Sequence, residues 1–211
     1  MNFIELLGQR RSVRQFDPNV RIDRAALLEL LDSACRAPSS NNSQPWRFVI
    51  LGDDPAARAE LLPLAYDQPQ ILTASALILV CADRRAYEEA NLAAIHGEAL
   101  AAGRMDAATY ARVLGRGTAF YRDVLTPHQL AQIQGLDIGL WTLAFLLAAE
   151  AAGWQTVPMA GYHHEALRRH LNLPEPWDDL LLLALGKATA PGRVTQRRPA
   201  RELTIFPEER P

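Results

Sequence analysis

Residues 126–153 read TPHQLAQIQGLDIGLWTLAFLLAAEAAG, and this stretch constrains the fold more than any other. Thr126 offers an N-cap hydroxyl, Pro127 suits the first helical position, and Gln129 completes a capping box. The helix begun there extends to Gly153, about 26 residues or ~39 Å at about 1.5 Å per residue. Ile133, Leu136, Leu140, Leu143, Leu146 and Leu147 make it apolar nearly all round, so it must be buried on more than one side. In a chain of 211 residues such a helix implies a partner helix or a second subunit packed against it. Its most apolar part, Leu136–Ala152, is short for a membrane span and contains Asp137 and Glu150.

Outward from this helix the pattern alternates between strand and helix. Trp154–Met159 predicts a short strand, His164–His170 a helix, and Leu180–Leu185 a buried strand. Upstream, the continuous apolar run Ala76–Cys81 predicts another buried strand, Ala56–Ala65 a helix and Trp46–Leu51 a strand. Asp23 caps a helix with Leu27, Leu30, Leu31, Ala34 and Cys35 at helical spacing, which Pro38 stops. Asn2–Gln9 reads as a short helix. Tyr87–Val124 is helical but less apolar, and Gly103, Gly115 and Gly117 break it. Residues 104–125 are expected to form a flexible lid hinged at Gly115 and Gly117, and the tail from about 192 to 211 is polar and basic. The mixture is α+β, and without repeats or linkers a single domain, 1–211, is expected.

Composition narrows the function. Lys and Arg number 22 against 24 Asp and Glu, a formal charge of −2, which argues against a nucleic-acid footprint. Hydrophobic residues at 49% and charged residues at 22% exclude a disordered chain. Cys35 and Cys81 are too few for a disulfide framework or a zinc site and fit a reducing compartment. Met1–Arg11 carries Glu5, Arg10 and Arg11 and no long apolar run, so no signal peptide is read there. The expectation is a soluble cytoplasmic protein without a membrane partner. No residues show metal-ligand spacing, and neither a Gly-x-Ser-x-Gly motif nor a Walker loop occurs. Gly115-Arg116-Gly117 is only a fragment of a dinucleotide fingerprint and follows no strand.

Four segments could carry chemistry. Arg10-Arg11-Ser12-Val13-Arg14 concentrates three guanidinium groups and a hydroxyl, which suits phosphate or, alternatively, a solvated basic turn. Arg197-Arg198-Pro199 near the other end has the same two readings, and in a compact fold the clusters could form one anion site. Pro38–Trp46 is an unusually polar connection between two buried elements. Ser39, Ser40, Asn42 and Gln44 could satisfy a ligand with many polar groups, such as a ribityl chain, or simply cap their own backbone. Pro158-Met159-Ala160-Gly161-Tyr162 could turn backbone N–H groups towards a ligand or be an ordinary turn.

Taken in order, these segments resemble the FMN-dependent nitroreductase family. The resemblance rests on Arg10–Phe16, Ala37–Trp46, Gln68-Pro69-Gln70, Val157–Tyr162, Leu185-Gly186-Lys187 and Arg197-Arg198-Pro199, and extends from residue 2 to about 203. It implies a nitroreductase-like α/β sandwich, a mostly antiparallel central sheet flanked by helices, in an intertwined homodimer with two shared FMN sites. Arg10, Arg11, Ser12 and Arg197 would hold the FMN phosphate and ribityl end. Arg14 would face the pyrimidine edge and tune it electrostatically, with Asp67 and Gln70 nearby. Pro38, Ser39, Ser40 and Asn42 would come from the other subunit, while Ala160 and Gly161 would bring backbone donors to flavin N5 and O4, with Pro158 beside them at the cofactor. Phe120 and Tyr121, the only adjacent aromatic pair, would border the substrate slot or else serve as core anchors.

The implied reaction is a ping-pong transfer from NAD(P)H through the flavin to a flat oxidant such as a nitroaromatic or quinone, without an essential protein acid or base. Ala160 stands where several members have Glu, Gln70 where some have Lys, and Thr195 where a tail Lys is common. That leaves Arg197 and Arg198 as alternatives for the phosphate. The same fold also supports dehalogenation, flavin breakdown, dehydrogenation and non-enzymatic FMN binding, and these stay open at this point.

Overall fold

In a computed structural model of the chain, residues 2–52 and 54–209 are described; Met1, Asp53, Arg210 and Pro211 lie outside the described residues. Eight α-helices and four strands occur among the described residues. They are α1 (Phe3–Gln9), α2 (Arg24–Ala34), β1 (Trp46–Leu51), α3 (Pro55–Leu61), α4 (Gln70–Thr73) and β2 (Ala76–Asp83). After these come α5 (Glu89–Ala101), α6 (Ala107–Ala119), α7 (Pro127–Ala151), β3 (Gln155–Met159), α8 (His164–His170) and β4 (Trp177–Gly186). The sheet runs β1-β2-β4-β3, and every pair is antiparallel.

The sheet is covered on both faces, which is why β2 is buried along its whole length. Leu77, Leu79 and Cys81 enter one core with Leu61, Ile71, Leu167 and Leu182, beneath α3, α4 and α8. Ile78, Val80 and Ala82 enter the other with Leu27, Leu31, Ile138 and Phe145, beneath α2 and α7. Successive strand residues face opposite sides, so a strand between two helical layers reads as an unbroken apolar run. Trp141 centres the second core, its ring 4.5 Å from Phe48 and 5.3 Å from Phe145.

The capping box of α7 is present: Gln129 N–H donates to Thr126 Oγ1 at 3.3 Å, and Thr126 N–H to Gln129 Oε1 at 2.9 Å. The helix has 25 residues and is long and apolar enough to cross a membrane. Its packing is that of a core helix, with Trp141 and Phe145 on the sheet and Gln134 and Asp137 buried among protein groups. Leu136, Leu140 and Leu143, at 61%, 38% and 47% exposure, form a bare apolar stripe on its other side.

Two expectations need correction. The helical stretch expected to break at Gly115 and Gly117 does not: α6 continues through both, and Phe120–Val124 forms a single π-helical turn behind it. Gly117 is a packing site, where an added Cβ would stand 3.4 Å from Leu92 Cδ1 and 3.5 Å from Asn41 Cγ. The strand expected at Leu180–Leu185 begins earlier, at Trp177, because Asp178 and Asp179 pair in register with Ala82 and Cys81. Their carboxylates are held by Arg84 and Arg168, partners that local patterning does not reveal.

The N-terminal segment is tied to the sheet where β4 ends. Asp17 N–H donates to Lys187 O at 2.9 Å, Thr189 N–H donates to Gln15 O at 3.0 Å, and Phe16 is buried between these bonds. A Cβ on Gly186 would stand 2.8 Å from the Phe16 ring. We expect Gly186→Ala to lower stability by about 1–3 kcal/mol through overpacking, and Phe16→Leu in the same chain to recover part of that loss, as measured by denaturant unfolding. An unchanged midpoint for Gly186→Ala would show that Phe16 is not fixed there.

Candidate active site

Residues 10–17 run as an extended segment along the sheet edge. Ser12 pairs in parallel with Thr156, and Val13 N–H donates to Thr156 O at 3.0 Å. Val13 and Phe16 are buried in the core and Arg14 is exposed, so packing the apolar pair turns the arginine out. The C-terminal tail returns over the same place. Gly192 makes this possible, since a Cβ there would collide with Arg11 Cβ.

The two arginine clusters therefore meet. Arg10, Arg11, Ser12 and Arg14 line one cavity of about 450 Å³ together with Arg193, Thr195 and Arg197. Among the described residues no carboxylate lines it, and Arg198 does not. Arg11 donates to the carbonyls of Gly8 at 2.6 Å and Arg10 at 2.9 Å, placing its charge at the C-terminal end of α1. Arg197 donates to Thr195 Oγ1 at 2.5 Å, so the Thr found in place of a tail Lys orients the neighbouring guanidinium. Guanidinium groups and hydroxyls around an open volume of this size match a phosphate monoester. Arg193 was not anticipated; its only sequence signal is the basic character of the tail.

A second group surrounds the end of β3. Pro158 is tolerated because β3 is an edge strand, and Ala160 and Gly161 beyond it are exposed. Gln68 fixes this turn by donating to Gly161 O at 2.8 Å and Ala65 O at 3.0 Å. Asp67 is exposed with a left-handed backbone, φ 53°. Gln70 is buried and donates to Gln68 Oε1 and Met159 Sδ, both at 3.0 Å. Gln70 thus belongs with the Met159–Gly161 turn, and neither it nor Asp67 lines the arginine cavity.

The loop between α2 and β1 forms the third group. Pro38 and Asn42 are exposed and Ser39 and Ser40 half-buried. Ser40 N–H donates to Asp137 Oδ1 at 2.9 Å, and Ser39 Oγ accepts from Gln44 N–H at 3.0 Å. Burial raises the Asp137 carboxyl above the usual carboxylate range, although bonds from Ser40, Tyr87 and Ser43 work against that. Tyr121 is buried, with its hydroxyl 2.8 Å from Ser40 O and from Ser40 Oγ, and Phe120 packs beside it. Within the single chain Tyr121 is thus tied to the Ser40 loop, and it also lines a cavity with Tyr87, Thr118 and Leu130. Asp137 was legible only as a lone carboxylate in an apolar helix.

Comparison with known proteins accords with this arrangement. The sequence profile of the nitroreductase family matches residues 7–187. YdgI of Bacillus subtilis (strain 168), provisionally named an NAD(P)H nitroreductase, is 35% identical over 201 residues, covering 94% of each chain. The CLA biosynthesis enone reductase of Lactiplantibacillus plantarum is 29% identical over 216 residues, covering 96% of this chain and 93% of the relative. A protein of Exiguobacterium sibiricum 255-15, crystallised in complex with FMN and described provisionally as a nitroreductase, superimposes with a TM-score of 0.90. It is 31% identical, with 98% of this chain and 97% of that one covered. The chain belongs to the nitroreductase family.

Proposed function

We propose that the chain is an FMN-dependent oxidoreductase that takes electrons from NAD(P)H and passes them to a nitroaromatic, quinone or similarly flat oxidant. The observation that carries this reading is the convergence of Arg10, Ser12, Arg14 and Arg197 on one cavity. Arg10, Ser12 and Arg197 hold the phosphate, with Arg11 and Arg193 adding charge to the wall. Arg14 lies two residues along the same extended segment from Ser12, placed to meet the pyrimidine edge. Pro158, Ala160 and Gly161 are exposed, with Gln70 packed behind the turn and Asp67 exposed next to Gln68. Bound FMN supplies two-electron redox chemistry that no side chain here can provide. Ala160 puts no carboxylate at its position, so the turn contributes backbone groups alone.

The site is completed in a homodimer. The bare stripe Leu136, Leu140 and Leu143 on α7, with exposed Phe3 and Ile4 on α1, is apolar surface of the kind an obligate interface buries. In that assembly Pro38, Ser39, Ser40 and Asn42 of one protomer lie beside the cofactor bound by its partner. A charge of −2 with arginines gathered in one cavity suits a small anionic ligand better than nucleic acid. Two free cysteines, Cys35 and Cys81, and the use of NAD(P)H fit the cytoplasm.

Purified protein is expected to be yellow, to release FMN on heating, and to bleach with NADH or NADPH under anaerobic conditions. FAD as the main flavin, or bound flavin that NAD(P)H never bleaches, would overturn the reading.

The arginines should separate by role. Arg197→Ala is expected to raise the FMN Kd by about ten- to hundredfold, the loss of roughly 1.5–3 kcal/mol for a hydrogen bond to a charged group. Arg198→Ala should stay within about twofold of wild type, since that residue does not line the cavity. Arg14→Ala should lower the midpoint potential of bound flavin, because the reduced form's negative charge loses its partner, whereas Arg197→Ala should leave that potential nearly constant. Equal shifts of potential in Arg14→Ala and Arg197→Ala would refute the division of roles.

A further inference from the structure

The loop from Ser39 to Gln44 adopts a backbone that L-residues resist. Asn41, Asn42 and Gln44 have φ of 48°, 54° and 50°, all left-handed, and none is glycine. Asparagine tolerates this region and glutamine does so less readily, so the conformation must be imposed by what surrounds it. Two helices, α7 and α5, and the turns after α6 and β2 impose it. From α7, Asp137 Oδ1 accepts Ser40 N–H at 2.9 Å, while Oδ2 accepts Tyr87 OH at 2.9 Å and lies 3.5 Å from Ser43 Oγ. From the turn that follows α6, the Tyr121 hydroxyl stands 2.8 Å from both oxygens of Ser40 and accepts Asn41 Nδ2–H at 3.0 Å. From α5, Asn91 Nδ2 donates to Ser43 O at 2.9 Å. The rings of Tyr87 and Tyr121 meet edge to face at 5.1 Å, closing the network around the carboxylate.

We propose that Asp137 is a positioning residue which, with Tyr87 and Tyr121, fixes residues 39–44 in the conformation that receives the cofactor, and that Tyr121 acts through this loop rather than as a wall of the substrate slot. The inference rests on the FMN reading above. Ser40, Asn41 and Ser43 are bonded to the neighbouring elements, Asn41 while still exposed, whereas Pro38 and Asn42 are exposed and take no part in those bonds, which leaves them for a ligand. The left-handed residues produce that division, since a relaxed backbone at Asn41 and Asn42 would reorient the exposed side chain. Gly117 serves the same arrangement by letting α6 approach Asn41.

Four dimeric holoproteins test this: wild type, Tyr121→Phe, Asp137→Ala and Asp137→Asn. FMN Kd, the visible circular dichroism of bound flavin, thermal unfolding, and kcat/KM for a small quinone and a bulkier nitroaromatic at saturating FMN are measured for each. Tyr121→Phe removes one oxygen and keeps the ring in the core. It is expected to raise the FMN Kd at least tenfold and alter the flavin dichroism, while the quinone-to-nitroaromatic ratio stays within twofold. Asp137→Ala should do the same more severely, and Asp137→Asn, which keeps an oxygen for Ser40 N–H, should recover most of the affinity. Should Asp137→Ala fail to fold, Tyr121→Phe and Asp137→Asn decide the matter.

A Tyr121→Phe protein with unchanged Kd and dichroism but a lower Tm would reduce the network to a structural role and overturn the proposal. A tenfold change in the substrate ratio at unchanged Kd would overturn it in favour of Tyr121 as the slot wall. A wild-type chain that binds no FMN would overturn both the cofactor reading and this inference. Wild-type binding matched by every variant would overturn the inference alone.

Discussion

A 25-residue helix that is apolar on nearly every side must be covered on nearly every side, and one chain covers only part of α7. The covered part sets the architecture. Trp141 and Phe145 need a broad apolar floor, which Phe48, Ile78, Val80 and Leu183 supply from three adjacent strands. Those strands can be that apolar only because a second helical layer buries their other face. Fully burying a large apolar side chain is worth about 1.5–3 kcal/mol, so each layer depends on the other being in place. The stripe Leu136, Leu140 and Leu143 remains, and the homodimer proposed above is the cover it calls for.

Against that apolar background Asp137 is expensive. Bringing a carboxylate into the interior carries a penalty of several kcal/mol, which good geometry and satisfied lone pairs must offset. Here the Ser40 N–H and the Tyr87 hydroxyl supply the principal bonds, both at 2.9 Å. A leucine at the same position would pack as well and leave Ser40 N–H without its acceptor. Left-handed backbone at non-glycine residues costs about 1–3 kcal/mol each when nothing compensates. The loop holds three such residues, and the buried carboxylate is among the groups that make their conformation the one of lowest free energy. What the fold gives up in hydrophobic packing at Asp137 it recovers as a single, defined loop geometry.

How much of this was legible in the sequence follows from the range of the interactions concerned. The capping box at Thr126, the apolar run of β2 and the N-cap at Asp23 are local, and each element lies where its residues indicate. The arginine clusters were legible as chemistry, and their meeting was only a possibility until Gly192 and the sheet edge brought the chain ends together. Gly115 and Gly117 misled because local glycine propensity favours a break, whereas the helix runs on through both: at Gly117 packing against Leu92 and Asn41 rewards a small residue, and Gly115 lies on the exposed side. The first turn of β4 was hidden because Asp178 and Asp179 look unlike strand residues until Arg84, Arg168 and His164 are beside them. The anchoring of Tyr121 depends on a bond to Ser40 across 81 positions, which no window of sequence contains.

The placement of the arginine cavity joins the site to the stability of the fold. Its walls come from residues 10–14 and from 193–197, segments secured to the sheet by a few backbone bonds and by Val13 and Phe16. The guanidinium groups gathered there share one cavity, which an anion between them would bridge. A ligand that binds only this folded arrangement adds about 2.7 kcal/mol of stability at a concentration of roughly 100 times its Kd. That gain falls on the two chain ends, the parts that local unfolding would release first. Occupancy of the site and retention of the tail over the sheet edge are thereby linked.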